Sequence, residues 1–355
     1  MKGLILSGGE GTRLRPITHT SAKQLVPVAN KPVLFYGLEA MAAAGIVEVG
    51  IVVGDTHAEI EAAVGDGSSF GLKVTYLPQE APLGLAHAVL ISEEFLGAEP
   101  FVMYLGDNLL KEGISPFVAR FEASSPDALI LLQKVADPRE YGFAELTDGV
   151  VTRLVEKPAK PASDLALVGV YLFTSDIFAS VKAIALSKRG ELEITDAIQH
   201  MIDRGLRVEP HVVSGWWKDT GKLEDMLEAN RLILSTIERD VNATVVTEDS
   251  RIEGAVVVGA GTSLTRCTVR GPVIIGADCT LTNAFIGPYT AIRDNVTVEH
   301  AEIENSIVLD YSRICHLNAR MTDSLIGKDV TIARSDGRPL AYRFMVGDSS
   351  QIGIL

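Results

Sequence analysis

The sequence predicts an α/β domain on a mixed, mostly parallel sheet, followed by a parallel β-helix, and three observations carry that prediction. Apolar runs of strand length alternate with helical stretches over the first 220 or so residues. A glycine-rich turn follows the first of those runs directly. Beyond about Ile252, aliphatic residues recur at intervals of six.

Gly3–Leu6 reads as a buried strand and Val49–Val53 as a second, while Val74–Leu77, Phe101–Leu105 and Ala128–Gln133 continue the series. Amphipathic stretches such as Val33–Ala44 and His57–Ala63 lie between them. Strands separated by helices of this length form a mostly parallel sheet with helices on both faces. Ligands of such sheets gather at the carboxyl ends of the strands. Leu223–Arg239 reads as one helix, apolar at Leu223, Met226, Leu227, Leu232 and Ile233.

The texture then changes. The six-residue runs are Ile252, Val258, Leu264; Ile275, Leu281; Ile286, Ile292, Val298; Val308, Ile314; and Ile326, Ile332, with slips of five between some of them. Small residues follow several members, as in Val258-Gly259-Ala260 and Ile286-Gly287-Pro288. That period marks a parallel β-helix with three faces per coil, whereas an antiparallel domain would alternate with period two. The expected division is 1–240, 241–335 for the repeats, and a tail over 336–355 that packs back or frays.

Composition narrows the class. Hydrophobic residues make up 47% and charged residues 22%, an ordinary globular balance. The opening apolar run is too short for a secretory h-region and no stretch approaches a membrane span, so a cytoplasmic protein is expected. Three cysteines, Cys267, Cys279 and Cys315, without CxxC spacing fit a reducing compartment. A net charge of −14 argues against nucleic-acid binding, which needs many phosphates neutralised. The early cations Arg13, Arg15, Lys23 and Lys31 are nevertheless concentrated enough to handle a small anion.

The strongest local signal is Leu6-Ser7-Gly8-Gly9-Glu10-Gly11-Thr12-Arg13-Leu14-Arg15-Pro16, followed by Lys23-Gln24. A strand leading into three glycines lets the backbone approach a phosphate and present its N–H groups. Leu14 stands where a dinucleotide fingerprint has its third glycine, and no Gly-Lys-Ser/Thr follows, so neither familiar phosphate loop applies. Arg13 offers a fork for phosphate oxygens and Lys23 a second cation. A carboxylate at the end of the strand Phe101–Leu105, Asp107, is placed to bind a hard cation such as Mg²⁺.

The string GGxGTRLxPxT…K resembles the nucleotide-binding signature of sugar-1-phosphate nucleotidyltransferases. The whole chain is similar to the glucose-1-phosphate thymidylyltransferases of the long form, which carry a C-terminal hexapeptide-repeat domain. The resemblance implies a Rossmann-like nucleotidyltransferase domain and a left-handed β-helix, with Leu6, Gly8, Gly9, Gly11, Thr12, Arg13 and Gln24 at the nucleotide. Tyr76-Leu77-Pro78-Gln79 with Pro82 and Gly84 resembles the base-reading loop, and a Gln79 amide suits a pyrimidine's imide edge. Asp219, in Trp216-Trp217-Lys218-Asp219-Thr220-Gly221, matches the W-x-D-T-G element and would share Mg²⁺ with Asp107. For the sugar phosphate the resemblance implies Leu85, Tyr141, Gly142, Glu156, Lys157, Val168, Gly169, Tyr171, Arg189 and Trp217.

It also implies a reaction. A sugar phosphate oxygen attacks the α-phosphorus of dTTP in line and pyrophosphate departs, with Arg13, Lys23, Asp107, Lys157 and Asp219 as the catalytic set. The expected substrates are a nucleoside triphosphate and a sugar 1-phosphate, acted on by a homo-oligomer with no nucleic-acid or membrane partner. UTP is the alternative donor. Acyltransferases also use six-residue repeats, and a second activity would centre on His300 or His316, though neither lies in a recognisable motif. The seven histidines show no HxH or HExxH spacing, so zinc chemistry is not expected.

Overall fold

The computed structural model describes residues 1–9, 11–19, 21–334, 350 and 352–353. The expected tail, 336–355, therefore lies almost wholly outside the described residues. Contacts divide the chain into two compact units. The first comprises Met1–Gly11, Ser21–Leu25 and Val33–Asp219, and the second Thr12–Thr20, Val26–Pro32 and Thr220–Leu355.

The first unit is built on a nine-stranded mixed sheet. Its parallel half runs Phe101–Leu105, Lys2–Ser7, Glu48–Val53, Lys73–Pro78 from the middle to one edge. The other half is largely antiparallel, because the long strand Leu165–Phe173 inserts against Phe101–Leu105, Ala128–Lys134 and Phe143–Thr147. Gly169 breaks that strand at a register shift between Leu167 and Tyr171. Its φ of +79°, together with Leu105 Cδ1 2.8 Å from where a Cβ would stand, restricts the position to glycine.

Alternation along each strand feeds two cores. Leu4, Phe101 and Met103 pack into one, while Ile5, Val102 and Tyr104 pack into the other. Helices cover both faces; Ile194–Asp203, for example, buries Ile194, Ala197, Ile198 and Met201 at helical spacing. Each fully buried aliphatic or aromatic side chain contributes about 1.5–3 kcal/mol. Lys2–Ser7 has Glu48–Val53 on one side and Phe101–Leu105 on the other, so the winding reverses there. That reversal opens a crevice at the carboxyl ends of Lys2–Ser7 and Phe101–Leu105. The turns leaving those two ends are joined, Gly106 N–H donating to the Leu6 carbonyl at 2.9 Å.

The second unit contains the helix Leu223–Leu234 and the repeats. The helix ends at Leu234 and not near Arg239, and strand pairing has already begun at Asp240–Val241. Three parallel sheets of six, six and four short strands form the left-handed β-helix. Val246, Ser263, Thr280 and Thr297 stack in register, so one coil takes 17 residues. Two sides of six and one of five account for the slips in the repeat. Residues with left-handed φ turn the corners, as in the ladder Arg266, Asn283, His300, His316. His300 and His316 are thus corner residues of successive coils, their rings stacked 4.9 Å apart. The three cysteines are free and buried, and burial pushes the Cys279 thiol up to about 11. No helix among the described residues is long and apolar enough to cross a membrane.

Candidate active site

At the crevice, Lys23 follows from the turn Ser21–Leu25, which is fixed by Glu59 accepting the Ala22 N–H at 2.7 Å. The Lys23 ammonium is buried, donates to Asp107 Oδ2 and lies 3.8 Å from Asp219 Oδ1. The two aspartates, far apart in sequence, meet because Trp217–Asp219 pairs antiparallel with Asn108–Leu110 and sets Asp219 opposite Asn108. Burial by itself would raise the Asp107 carboxyl, but the Lys23 charge and hydrogen bonds from Lys23 and Asn108 outweigh it. The carboxyl is held below the usual carboxylate range.

Asn108 orients this group. Its Nδ2 donates to Asp107 Oδ1 at 2.8 Å, its Oδ1 accepts the Trp217 indole N–H, and its backbone carbonyl accepts from Tyr104 Oη at 2.9 Å. Trp217 therefore acts on the aspartate side through its N–H, while its ring packs edge-on to Tyr141 at 5.2 Å. Tyr141 leads to a second cluster. Lys157 N–H donates to the Tyr141 carbonyl at 3.2 Å and Leu167 N–H to the Gly142 carbonyl at 2.9 Å. A Cβ on Gly142 would stand 2.9 Å from Glu156 Oε2, so only glycine fits beside that carboxylate.

Glu156 is the centre of this cluster. Thr195 Oγ1 donates to it at 3.3 Å, Arg189 Nη1 lies 3.4 Å away, and Lys157 Nζ lies at 3.9 Å. Burial, then the neighbouring Glu193 carboxylate, push the Glu156 carboxyl up; Lys157 and Arg189 offset only part of this. Arg189 is shared among Glu156, Glu191 and Glu193.

The base loop joins the glycine turn. A Cβ on Gly8 would lie 3.4 Å from Gln79 Oε1, and one on Gly9 3.7 Å from Gln24 Nε2. Gln79 Nε2 donates to the Gly84 carbonyl at 3.3 Å and lies 3.0 Å from His87 Nδ1. Gly84 has φ +100° and presses against the Leu192 backbone, and Leu192 N–H donates to the Leu83 carbonyl at 2.7 Å.

The structure thus brings together Gly8, Gly9, Gln24 and Gln79 on one side, Lys23, Asp107 and Asp219 at the centre, and Tyr141, Gly142, Glu156, Lys157 and Arg189 on the other. Leu6, Val168 and Tyr171 are buried in the packed cores, with Leu85 half-buried against one of them, and Pro82 is exposed beside the base loop. Gly11 closes the first unit's glycine turn with φ +66°, and Thr12 and Arg13 lie on an exposed helical turn in a segment of the second unit. Sequence reasoning missed Asn108, His87, Glu59, Glu193 and Thr195. Asn108 follows Asp107 directly, and Glu193 and Thr195 stand four and six positions after Arg189, so adjacency was the available signal.

Two carboxylates thus converge on one ammonium beside the ends of neighbouring strands. Residues 2–236 match the nucleotidyl transferase family, and the chain belongs to it. A glucose-1-phosphate thymidylyltransferase of Streptomyces griseus is 55% identical over 100% of this chain and 99% of its own length. The low-salt glycan biosynthesis nucleotidyltransferase Agl11 of Haloferax volcanii is 47% identical over 99% of each chain. The structure of a UDP-glucose pyrophosphorylase complexed with UDP-glucose, 28% identical, aligns with a TM-score of 0.59 over 66% of this chain and 98% of its own. Nucleotidyltransferases of this kind normally use a divalent metal.

Proposed function

We propose that the chain transfers the thymidylyl group of dTTP to glucose 1-phosphate, yielding dTDP-glucose and pyrophosphate as the first step of deoxysugar biosynthesis. The observation carrying this reading is Lys23 set between Asp107 and Asp219, with Asn108, Trp217 and Tyr141 linking that group to the Glu156–Arg189 cluster.

The donor set fits Mg²⁺. Two carboxylates, with phosphate oxygens and water completing the octahedron, are what Mg²⁺ takes at such sites. Asp107 and Asp219 would hold it, and it would neutralise charge on the triphosphate. Asp107, kept ionised by Lys23, is ready to bind a cation at neutral pH.

The chain's own residues supply positioning. The attacking phosphate oxygen is already ionised, so no general base is required. As it bonds to the α-phosphorus, the bond from that phosphorus to the β-bridging oxygen breaks and the electron pair leaves on pyrophosphate. Lys23 balances the triphosphate and leaving-group charge, and Lys157 and Arg189 hold the attacking phosphate. Glu156 accepts from sugar hydroxyls, and Gln79, braced by Gly84 and His87, reads the base. We place the enzyme in the cytoplasm as a homo-oligomer, a setting that three free buried cysteines suit.

Pyrophosphate release with glucose 1-phosphate, measured across dTTP, UTP, ATP and GTP, tests the reading. Release above background with none of the four would overturn it.

A further inference from the structure

Arg189 stands on a short turn, 187–191, that Ser187 closes with its backbone. The Gly190 N–H donates to the Ser187 carbonyl at 2.9 Å, and the Ser187 N–H donates to the Glu191 carbonyl at 2.8 Å. The turn and the Glu156 cluster it faces both belong to the first unit.

The Ser187 hydroxyl has a task of its own. It accepts the Arg189 N–H at 3.1 Å and donates to Glu193 Oε1 at 2.8 Å. The same carboxylate oxygen accepts from Arg189 Nη1 at 3.4 Å. Arg189 is therefore tied to Glu193 Oε1 twice, directly through its guanidinium and from its backbone through the serine hydroxyl. Glu193 is a fixed end for this relay, because it is only 4% exposed while Arg189 is exposed and Ser187 half-buried. A carboxylate at that depth is costly unless it is paired and hydrogen-bonded, so the three groups hold one another in place. Glu193 also directly precedes the helix Ile194–Asp203, whose N-terminal amides favour negative charge there. A hydroxyl that accepts one bond and donates another strengthens both.

We propose that Ser187 is a positioning residue for Arg189. With Glu193 as its anchor, it sets the direction in which the guanidinium leaves the turn and keeps Nη1 beside Glu156, 3.4 Å away. The free rotation of a long exposed side chain is thereby restricted before substrate arrives, which lowers the cost of ordering it on binding. Ser187 acts on the attacking phosphate through Arg189. The proposal rests on Arg189 holding the sugar phosphate, as proposed above.

The test uses the full-length chain with Ser187→Ala, Ser187→Thr, Arg189→Ala and the double variant Ser187→Ala/Arg189→Ala. In Ser187→Ala the KM for glucose 1-phosphate should rise roughly fivefold, the scale of one net hydrogen bond. The KM for dTTP should stay within about twofold, and Ser187→Thr, which keeps a hydroxyl, should recover most of the loss. In the Arg189→Ala background the serine change should add less than about twofold, because residues acting through one another are not additive. Full additivity would make Ser187 a turn-former alone and overturn the proposal. An equal rise in both KM values, or parental kinetics in Ser187→Ala, would overturn it as well. Arg189→Ala by itself separates this idea from the reading beneath it. A parental KM for glucose 1-phosphate in that variant removes Arg189 from the sugar phosphate. Hydrogen–deuterium exchange over 187–193 then still decides whether the relay exists, since Ser187→Ala should quicken it there and unchanged exchange would overturn the relay itself.

Discussion

Asp219 lies directly opposite Asn108 in a two-stranded antiparallel ladder, and that pairing brings a second carboxylate to the end of the strand that presents Asp107. Both acids then face one ammonium. Replacing either Asp107 or Asp219 by Asn preserves shape and removes one charge. Turnover should fall by a factor on the order of 10² or more in each variant, with little change in secondary structure. Near-parental turnover for both at limiting Mg²⁺ would remove the metal-binding assignment.

The indole N–H of Trp217 offers a sharper probe, because it acts on Asp107 only through Asn108. Trp217→Phe keeps the ring beside Tyr141 and leaves Asn108 Oδ1 buried without its donor. The cost should be about 1–3 kcal/mol of stability. If the orienting role is real, the Mg²⁺ concentration for half-maximal activity should also rise. A lower melting midpoint with an unchanged Mg²⁺ requirement would reduce Trp217 to a packing residue.

Much of this was legible in the sequence, for identifiable reasons. The strands show because both faces of the sheet are buried, leaving uninterrupted runs such as Leu4-Ile5-Leu6 and Val49–Val53. The β-helix shows because each side of a coil repeats one inward aliphatic, and even the five-residue slips mark its short side. What stayed hidden depends on long-range pairing. Nothing local in Trp217 says that its N–H points at Asn108 and away from a sugar. The helix after Leu223 reads too long because Ile237 continues its apolar spacing, although the chain has already turned toward the first coil.

Glu156 carries a pH prediction. Burial and then Glu193 raise its carboxyl above the ordinary glutamate range, so the folded protein binds that proton more tightly than the unfolded chain. Between the ordinary value and the raised one the native state holds more protons, and stability therefore declines as pH rises through that window. Activity should move the other way, since an ionised Glu156 is what accepts from sugar hydroxyls. The kcat/KM for glucose 1-phosphate should fall as pH drops through the raised value, and Glu156→Gln should lose that limb of the profile. Retention of the same limb by the Gln variant would assign it to another group.

The base loop supports a prediction about backbone. Gly84 has φ +100°, and a Cβ there would stand 2.5 Å from the Leu192 carbonyl oxygen. Gly84→Ala must shift the loop, taking with it the carbonyl that holds Gln79 Nε2. KM for the triphosphate should rise several-fold while KM for the sugar phosphate changes less. Equal changes in both would show that the loop serves the site as a whole.

The last prediction concerns which nucleotide is preferred. Gln79 Nε2 is engaged by Gly84 and His87, and its Oε1 is directed toward Gly8, so the amide is held in one orientation and not left to rotate. A fixed amide reads an imide edge, which thymine and uracil share, and therefore separates pyrimidines from purines more sharply than it separates the two pyrimidines. dTTP and UTP differ by one methyl and one hydroxyl, and a methyl-sized difference in an apolar pocket is worth only about 1–3 kcal/mol. The expected order of kcat/KM with glucose 1-phosphate is dTTP first, UTP lower by roughly 10- to 200-fold, and ATP and GTP far below. His87→Ala should narrow the gap between pyrimidines and purines by freeing Gln79, without abolishing turnover. A preference for either purine in the parent enzyme would overturn the base-reading role of Gln79, yet leave the phosphate-transfer chemistry at Lys23, Asp107 and Asp219 standing.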